Sequence, residues 1–116
     1  MAALQLRRVI VFSENIERLA EFYEEKLGLT PKAKEDDWID YDAGGVRLAL
    51  HRGKAGAGDG PGATKLCFHA PDIQRAADEL VARGVKLGKV RGTPPGLVLC
   101  DFKDPDGNVL QLSSRA

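Results

Sequence analysis

The sequence predicts an α+β fold of two tandem βαβββ modules, their curved sheets set around a cavity. Three features of the chain lead to it. A strand–helix–strands pattern occurs on each side of a glycine-rich stretch. The helix starts Asn15-Ile16-Glu17-Arg18 and Asp72-Ile73-Gln74-Arg75 match at an offset of 57. Setting Gly45 on Gly107, an offset of 62, lays residues 46–51 over 108–113. Such a duplication dictates the architecture, because each copy must bury the same apolar faces. The expected boundaries are 4–52 for the first module, 53–63 for the linker and 64–114 for the second, within one domain spanning 1–116.

Each element has a local cause. Leu6 to Phe12 is a β-branched apolar run and reads as a strand. Asn15 offers an N-cap, Ile16, Leu19, Ala20, Tyr23 and Leu27 recur at helical spacing, and Gly28 ends the helix. Lys32 to Glu35 is a charged edge strand, followed by strands at Trp38–Tyr41 and Val46–His51 joined by a tight turn. Glycines 53, 56, 58, 60 and 62 with Pro61 leave nothing to pack and predict a flexible linker. A phosphate-cradling loop would have to feed a helix, whereas Lys65 to His69 is a strand. Asp72 then caps a helix with the stripe Ile73, Ala76, Ala77, Leu80 and Val81, stopped by Gly84. Val85–Val90 is a strand candidate and Arg91–Gly96 a Pro/Gly loop. A closing hairpin pairs Leu97–Phe102 with Val109–Leu112 around the turn Asp104-Pro105-Asp106-Gly107-Asn108.

Composition bounds the partners. The 116 residues are 43% hydrophobic and 29% charged, which suits an ordinary globular core. Seventeen basic and 17 acidic residues cancel, which argues against nucleic acid or an anionic membrane surface as partner. No stretch has the length of a membrane span and the N-terminus lacks a signal-peptide core, so a cytoplasmic location is expected. Cys67 and Cys100 have no C-x-x-C spacing and read as buried reduced thiols.

Strand alternation sorts side chains onto two faces. Val9, Val11, Ile39, Tyr41, Leu48, Leu50, Leu66, Phe68, Ala70, Cys100, Phe102, Leu110 and Leu112 form an apolar face for the helices. The opposite face is chemically mixed. It carries the ligand-binding candidates Arg8, Phe12, Trp38, Arg47, His51, Lys65, Cys67, His69 and Gln111, with Asp40 and Asp101 among them. Arg8, Arg47 and Lys65 are suited to a carboxylate or phosphate, or to internal pairing with the two aspartates. Trp38 and Phe12 are suited to stacking on a flat ligand, or to filling the cavity. His51 and His69 hydrogen-bond a ligand or face water; a metal on this pair would need Asp40 or Asp101 as third ligand. Cys67 reads as an inert thiol, and Glu35-Asp36-Asp37 as a solvated loop. No catalytic residue is assigned.

The run Phe102-Lys103-Asp104-Pro105-Asp106-Gly107-Asn108, and Ala20-Glu21-Phe22-Tyr23 with Leu27-Gly28-Leu29, resemble the vicinal oxygen chelate superfamily. It includes glyoxalase I, bleomycin-resistance proteins and extradiol dioxygenases. The resemblance implies a divalent metal held by His, Gln or Glu from the first and last strands of each module. Carried over, those places fall on Arg8, Ala49, Lys65 and Gln111, of which only Gln111 has a donor atom fit for a metal. The expectation is therefore no metal and no cofactor. The nearest likeness is to the metal-free bleomycin-resistance-like members. It implies a homodimer that binds or sequesters a small aromatic or anionic molecule. The alternative is a glyoxalase- or dioxygenase-type enzyme with an atypical metal set or metal-free acid–base chemistry.

Overall fold

A computed structural model describes residues 8–54 and 65–115. The chain divides into two compact units, 1–59 and 60–116. The expected linker lies outside the described residues from residue 55 on.

The first unit runs β1 (Arg8–Ser13), α1 (Ile16–Glu21), β2 (Thr30–Glu35), β3 (Trp38–Asp42) and β4 (Arg47–Arg52). Its four-stranded sheet has the order β1-β4-β3-β2, with β1 parallel to β4 and the other pairs antiparallel. Asn15 caps α1 by accepting from the Arg18 N–H. At Phe22–Lys26 the helix widens into a π-helical turn, closed by Leu27 N–H donating to the Phe22 carbonyl at 3.2 Å. Gly28, at φ +76°, then reverses the chain in the left-handed region that glycine enters without a Cβ clash. Ile16, Leu19, Ala20 and Tyr23 are buried, as are Ile39, Tyr41, Leu48 and Leu50 on the sheet face that parity assigns to the helix. Leu27, expected in the same stripe, is only half-buried.

The second unit runs β5 (Lys65–His69), α2 (Ile73–Ala82), β6 (Leu99–Lys103) and β7 (Val109–Ser113), with sheet order β5-β7-β6. Asp72 caps α2 through the Arg75 N–H, and Ile73, Ala77 and Leu80 are buried. Val81 is the exception to the expected stripe at 57% exposure. It sits about 100° around the helix from Leu80 and so turns away from the buried line.

The strand expected at Val85–Val90 is replaced by two isolated bridges, Leu87 with Phe102 and Arg91 with Leu99. In the first unit Pro31 pairs with Tyr41 and Glu35 with Trp38, so the bridges keep the two ends of the matching ladder and lose its middle. Between the bridges Gly88 lies close against β6, where a Cβ would meet the Asp101 carbonyl oxygen at 2.9 Å. Gly88 instead donates its N–H to that oxygen at 2.8 Å.

The closing turn is organised by one buried carboxylate. Asp104 Oδ1 accepts from the N–H groups of Asp106 and Asn108 at 2.9 and 3.0 Å, and Oδ2 accepts from the Asn108 side chain at 2.7 Å. Gly107 supplies the positive φ of +86°. The turn aims β7 so that Leu110 and Leu112 are buried while Gln111 emerges on the face away from α2.

Candidate functional site

In the first unit, cross-strand register arranges the helix-free face in three rows. Arg8, Arg47 and Asp42 form the first row; Ile10, Ala49 and Asp40 the middle one; Phe12, His51 and Trp38 the last. The parity expected of these side chains is therefore realised, and Arg8, Phe12, Trp38, Arg47 and His51 share one surface. Asp40 is 5% exposed and accepts from both arginines. Arg8 Nε reaches Oδ1 at 3.3 Å and its Nη2 reaches Oδ2 at 3.2 Å, while Arg47 Nη1 reaches Oδ2 at 3.0 Å. Two guanidinium groups thus share one carboxylate, and Asp42, the cross-strand neighbour of Arg47, is the second acid of this face. The Arg8 guanidinium also lies 5.6 Å from the centre of the Trp38 ring, in cation–π range.

His51 is held between aromatic rings. Its centroid is 5.3 Å from Phe12 and 5.7 Å from Trp38, the latter edge-on. His51 Nδ1 lies 2.9 Å from the Arg52 carbonyl oxygen. A carbonyl only accepts, so the proton of the neutral imidazole sits on Nδ1 and Nε2 carries a lone pair.

The second unit has a related cluster. Lys65 Nζ reaches Asp101 Oδ2 at 3.1 Å and Arg91 Nη2 reaches the same oxygen at 3.5 Å. Gln111 donates from Nε2 to Asp101 Oδ1 at 2.8 Å, which turns its Oε1 toward Cys67 Sγ at 3.3 Å. The Gln111 amide, then Lys65 and Arg91, hold the Asp101 carboxyl below its ordinary range. The two units match: Arg8 corresponds to Lys65 and Asp40 to Asp101, so each pairs a cation of its first strand with a carboxylate two strands away. Arg91 was not singled out from the sequence because it falls in a Pro/Gly loop. Its signal was the repeat itself, since Arg91 pairs with Leu99 as Glu35 pairs with Trp38.

Cys67 is exposed rather than buried, whereas Cys100 is buried as expected. The reason is parity, which puts Cys67 beside Gln111 on the helix-free face. Burial raises the pKa of the Cys100 thiol. His69 follows Lys65 and Cys67 at the same parity on β5 and, at the strand end, lines a groove of about 670 Å³ with Ile73, Val98, Ser114 and the prolines at 94 and 95.

A further groove, of about 660 Å³, runs between α1 and the β2–β3 hairpin and is predominantly acidic. The run Glu35-Asp36-Asp37 at its rim is exposed to solvent, as expected, but it is also tied down. Glu35 ends β2, and Arg52 grips the turn through the Asp37 carboxylate at 3.0 Å and the Asp36 carbonyl at 2.8 Å. The same guanidinium binds Glu17 on α1 and lowers the pKa of its carboxyl. Beneath them Tyr41 donates its hydroxyl to Glu24 at 2.8 Å, and burial with that hydrogen bond raises the phenol pKa.

A family model described as the Glyoxalase/Bleomycin resistance protein/Dioxygenase superfamily matches residues 5–112. No curated protein sequence matches the chain. Among solved structures, a lactoylglutathione lyase from Agrobacterium tumefaciens superposes with a TM-score of 0.77 at 17% identity, over 97% of this chain and 94% of that one. A glyoxalase/bleomycin resistance protein/dioxygenase from Nocardioides gives 0.76 at 22% identity, over 97% and 84%. A glyoxalase-related enzyme from Fulvimarina pelagi gives 0.74 at 24% identity, over 94% and 86%. At these identities the likeness is one of fold.

Proposed function

The chain belongs to the Glyoxalase/Bleomycin resistance protein/Dioxygenase superfamily, and we propose that within it this protein binds a small amphipathic anion without a metal. The observation that carries the reading is the first unit's helix-free face. There two guanidinium groups share one buried carboxylate beside Trp38, Phe12 and His51. A pair of partly exposed guanidinium groups next to aromatic rings suits a ligand with an anionic head and a flat apolar body.

The donor chemistry does not fit a divalent metal at the places where relatives of this fold hold one. Ala49 has no donor atom and no exposed surface. Arg8 and Lys65 bring positive charge and are bonded to Asp40 and Asp101. The remaining oxygen, Gln111 Oε1, is neutral and faces the Cys67 thiol. A single neutral oxygen is a poor match for a divalent cation that must give up its hydration shell.

Calorimetric titration of the full chain with benzoate, acetate and benzyl alcohol tests the reading. Benzoate is expected to bind more tightly than the other two, and Arg47→Ala to weaken it by about tenfold, the size of a lost charge-assisted hydrogen bond. Benzoate binding no tighter than acetate, or unaltered in Arg47→Ala, would refute it. So would a divalent metal retained at about one per chain after purification in metal-supplemented medium. By resemblance the protein is expected to bind its ligand as a homodimer, which light scattering at micromolar concentration checks.

A further inference from the structure

The tautomer of His51 narrows the ligand class. The Arg52 carbonyl holds the imidazole proton on Nδ1, and Phe12 and Trp38 flank the ring at 5.3 and 5.7 Å, so rotation of the side chain is opposed from both sides. Nε2 therefore presents a fixed lone pair, and it finds no hydrogen-bond partner among the described residues. His51 is half-buried, so an acceptor left unmatched beneath a flat ligand would lose its water without replacement. A ligand that seats its ring here gains by bringing a donor to Nε2.

The cationic end of the same face sets the other constraint. The middle row offers a ligand only Ile10, which is 43% exposed, because Ala49 has no exposed surface and Asp40 only 5%; the polar contacts come from the side chains that border it. Arg8 bends from the first row until its guanidinium lies 5.6 Å from the Trp38 ring, and that ring is 5.7 Å from His51. Cation, aromatic wall and imidazole acceptor follow one another at single-ring spacing. We infer that the site selects an aromatic acid that also carries a hydrogen-bond donor, a hydroxyl or N–H, on its ring. The carboxylate faces Arg8 and Arg47, the ring rests against Trp38 and Phe12, and the donor meets His51 Nε2. Aromatic acids without a donor bind more weakly, and those carrying a methoxy group in its place more weakly still, because two acceptors then face each other.

The inference rests on the anion-binding reading above, and its test separates the two. The full chain is titrated with benzoate, with the three hydroxybenzoate isomers and with the matching methoxybenzoates, for the wild type and for His51→Phe. The substitution keeps a flat ring between Phe12 and Trp38 and deletes the acceptor; circular dichroism and the thermal midpoint verify folding. At least one hydroxy isomer is expected to bind about tenfold more tightly than benzoate, with its methoxy partner weaker than benzoate. In His51→Phe the tenfold advantage of the hydroxy isomer over benzoate disappears, the readout being the ratio of the two affinities within each protein. If benzoate binds but the hydroxy isomers gain nothing, or the gain survives in His51→Phe, the donor requirement is wrong and anion binding stands. If none of the acids binds, both fail. Should His51→Phe not fold, His51→Gln serves instead: its amide can accept or donate, so the methoxy penalty should vanish, and a persisting penalty overturns the inference.

Discussion

Replacing Asp40 with asparagine should lower stability and raise affinity for an anion at the same time. The carboxylate is 5% exposed and bonds to both arginines. Removing one partner of a buried ion pair costs about 3–5 kcal/mol. The arginine side chains are 36% and 38% exposed, however, and can turn to water, so the cost here is discounted to about 2 kcal/mol. With a urea m-value of about 2 kcal/mol/M, the unfolding midpoint falls by about 1 M. A bound anion no longer competes with Asp40 for the two guanidinium groups and no longer feels its charge. Unit charges about 4 Å apart interact by about 1 kcal/mol in water and about 4 kcal/mol near a protein surface. A gain at the low end of that range is about fivefold in benzoate affinity. The assays are urea unfolding followed by tryptophan fluorescence and calorimetric titration of the folded variant. A midpoint that falls while benzoate affinity falls too would show that Asp40 orders the arginines for binding rather than competing with the ligand. An unmoved midpoint would remove the claim that the cluster holds the sheet.

Other expectations follow from single residues. Asp104→Ala deprives two backbone N–H groups and the Asn108 side chain of their acceptor, and should cost about 2–3 kcal/mol, or about 10 °C in the thermal midpoint. Gly92→Ala places a Cβ 1.9 Å from the Leu97 carbonyl at φ +91° and should cost more than about 3 kcal/mol. Gly44→Ala, at φ +79° with open space around it, should cost only about 1 kcal/mol. Equal effects of the two on the urea midpoint would be evidence against the close approach at Gly92. For Asp101, whose folded-state pKa lies below its ordinary value of 3.8, the stabilisation is present above that value and is lost as pH falls through the folded one. The midpoint difference between wild type and Asp101→Asn should therefore be fully present at pH 6 and shrink below about pH 4.

Much of the fold could be deduced from local chemistry. Asn15 and Asp72 mark helix starts because a short side-chain oxygen caps an exposed N–H, and both do so. Gly28 and Gly84 mark the ends because each carries a positive φ. Period-two alternation separated Leu48 and Leu50 from Arg47 and His51, since adjacent residues of a strand point to opposite faces. The duplication then placed Arg8 with Lys65 and Asp40 with Asp101. What tertiary packing decided was how those side chains spend their charge and their hydrogen bonds. Whether Arg8 and Lys65 reach a ligand or an internal carboxylate depends on register across two strands, and the sequence leaves that register open. The strand expected at 85–90 survives only as bridges from Leu87 and Arg91 to β6, an outcome set by the fit of the two segments in the fold. The bridge at Arg91 brings its side chain onto Asp101. The tautomer of His51 was beyond local reading as well, because it depends on where the Arg52 carbonyl lies relative to the folded imidazole. Pattern and periodicity determine which residues share a face; only the folded register determines which of their charges and lone pairs are left to meet a ligand.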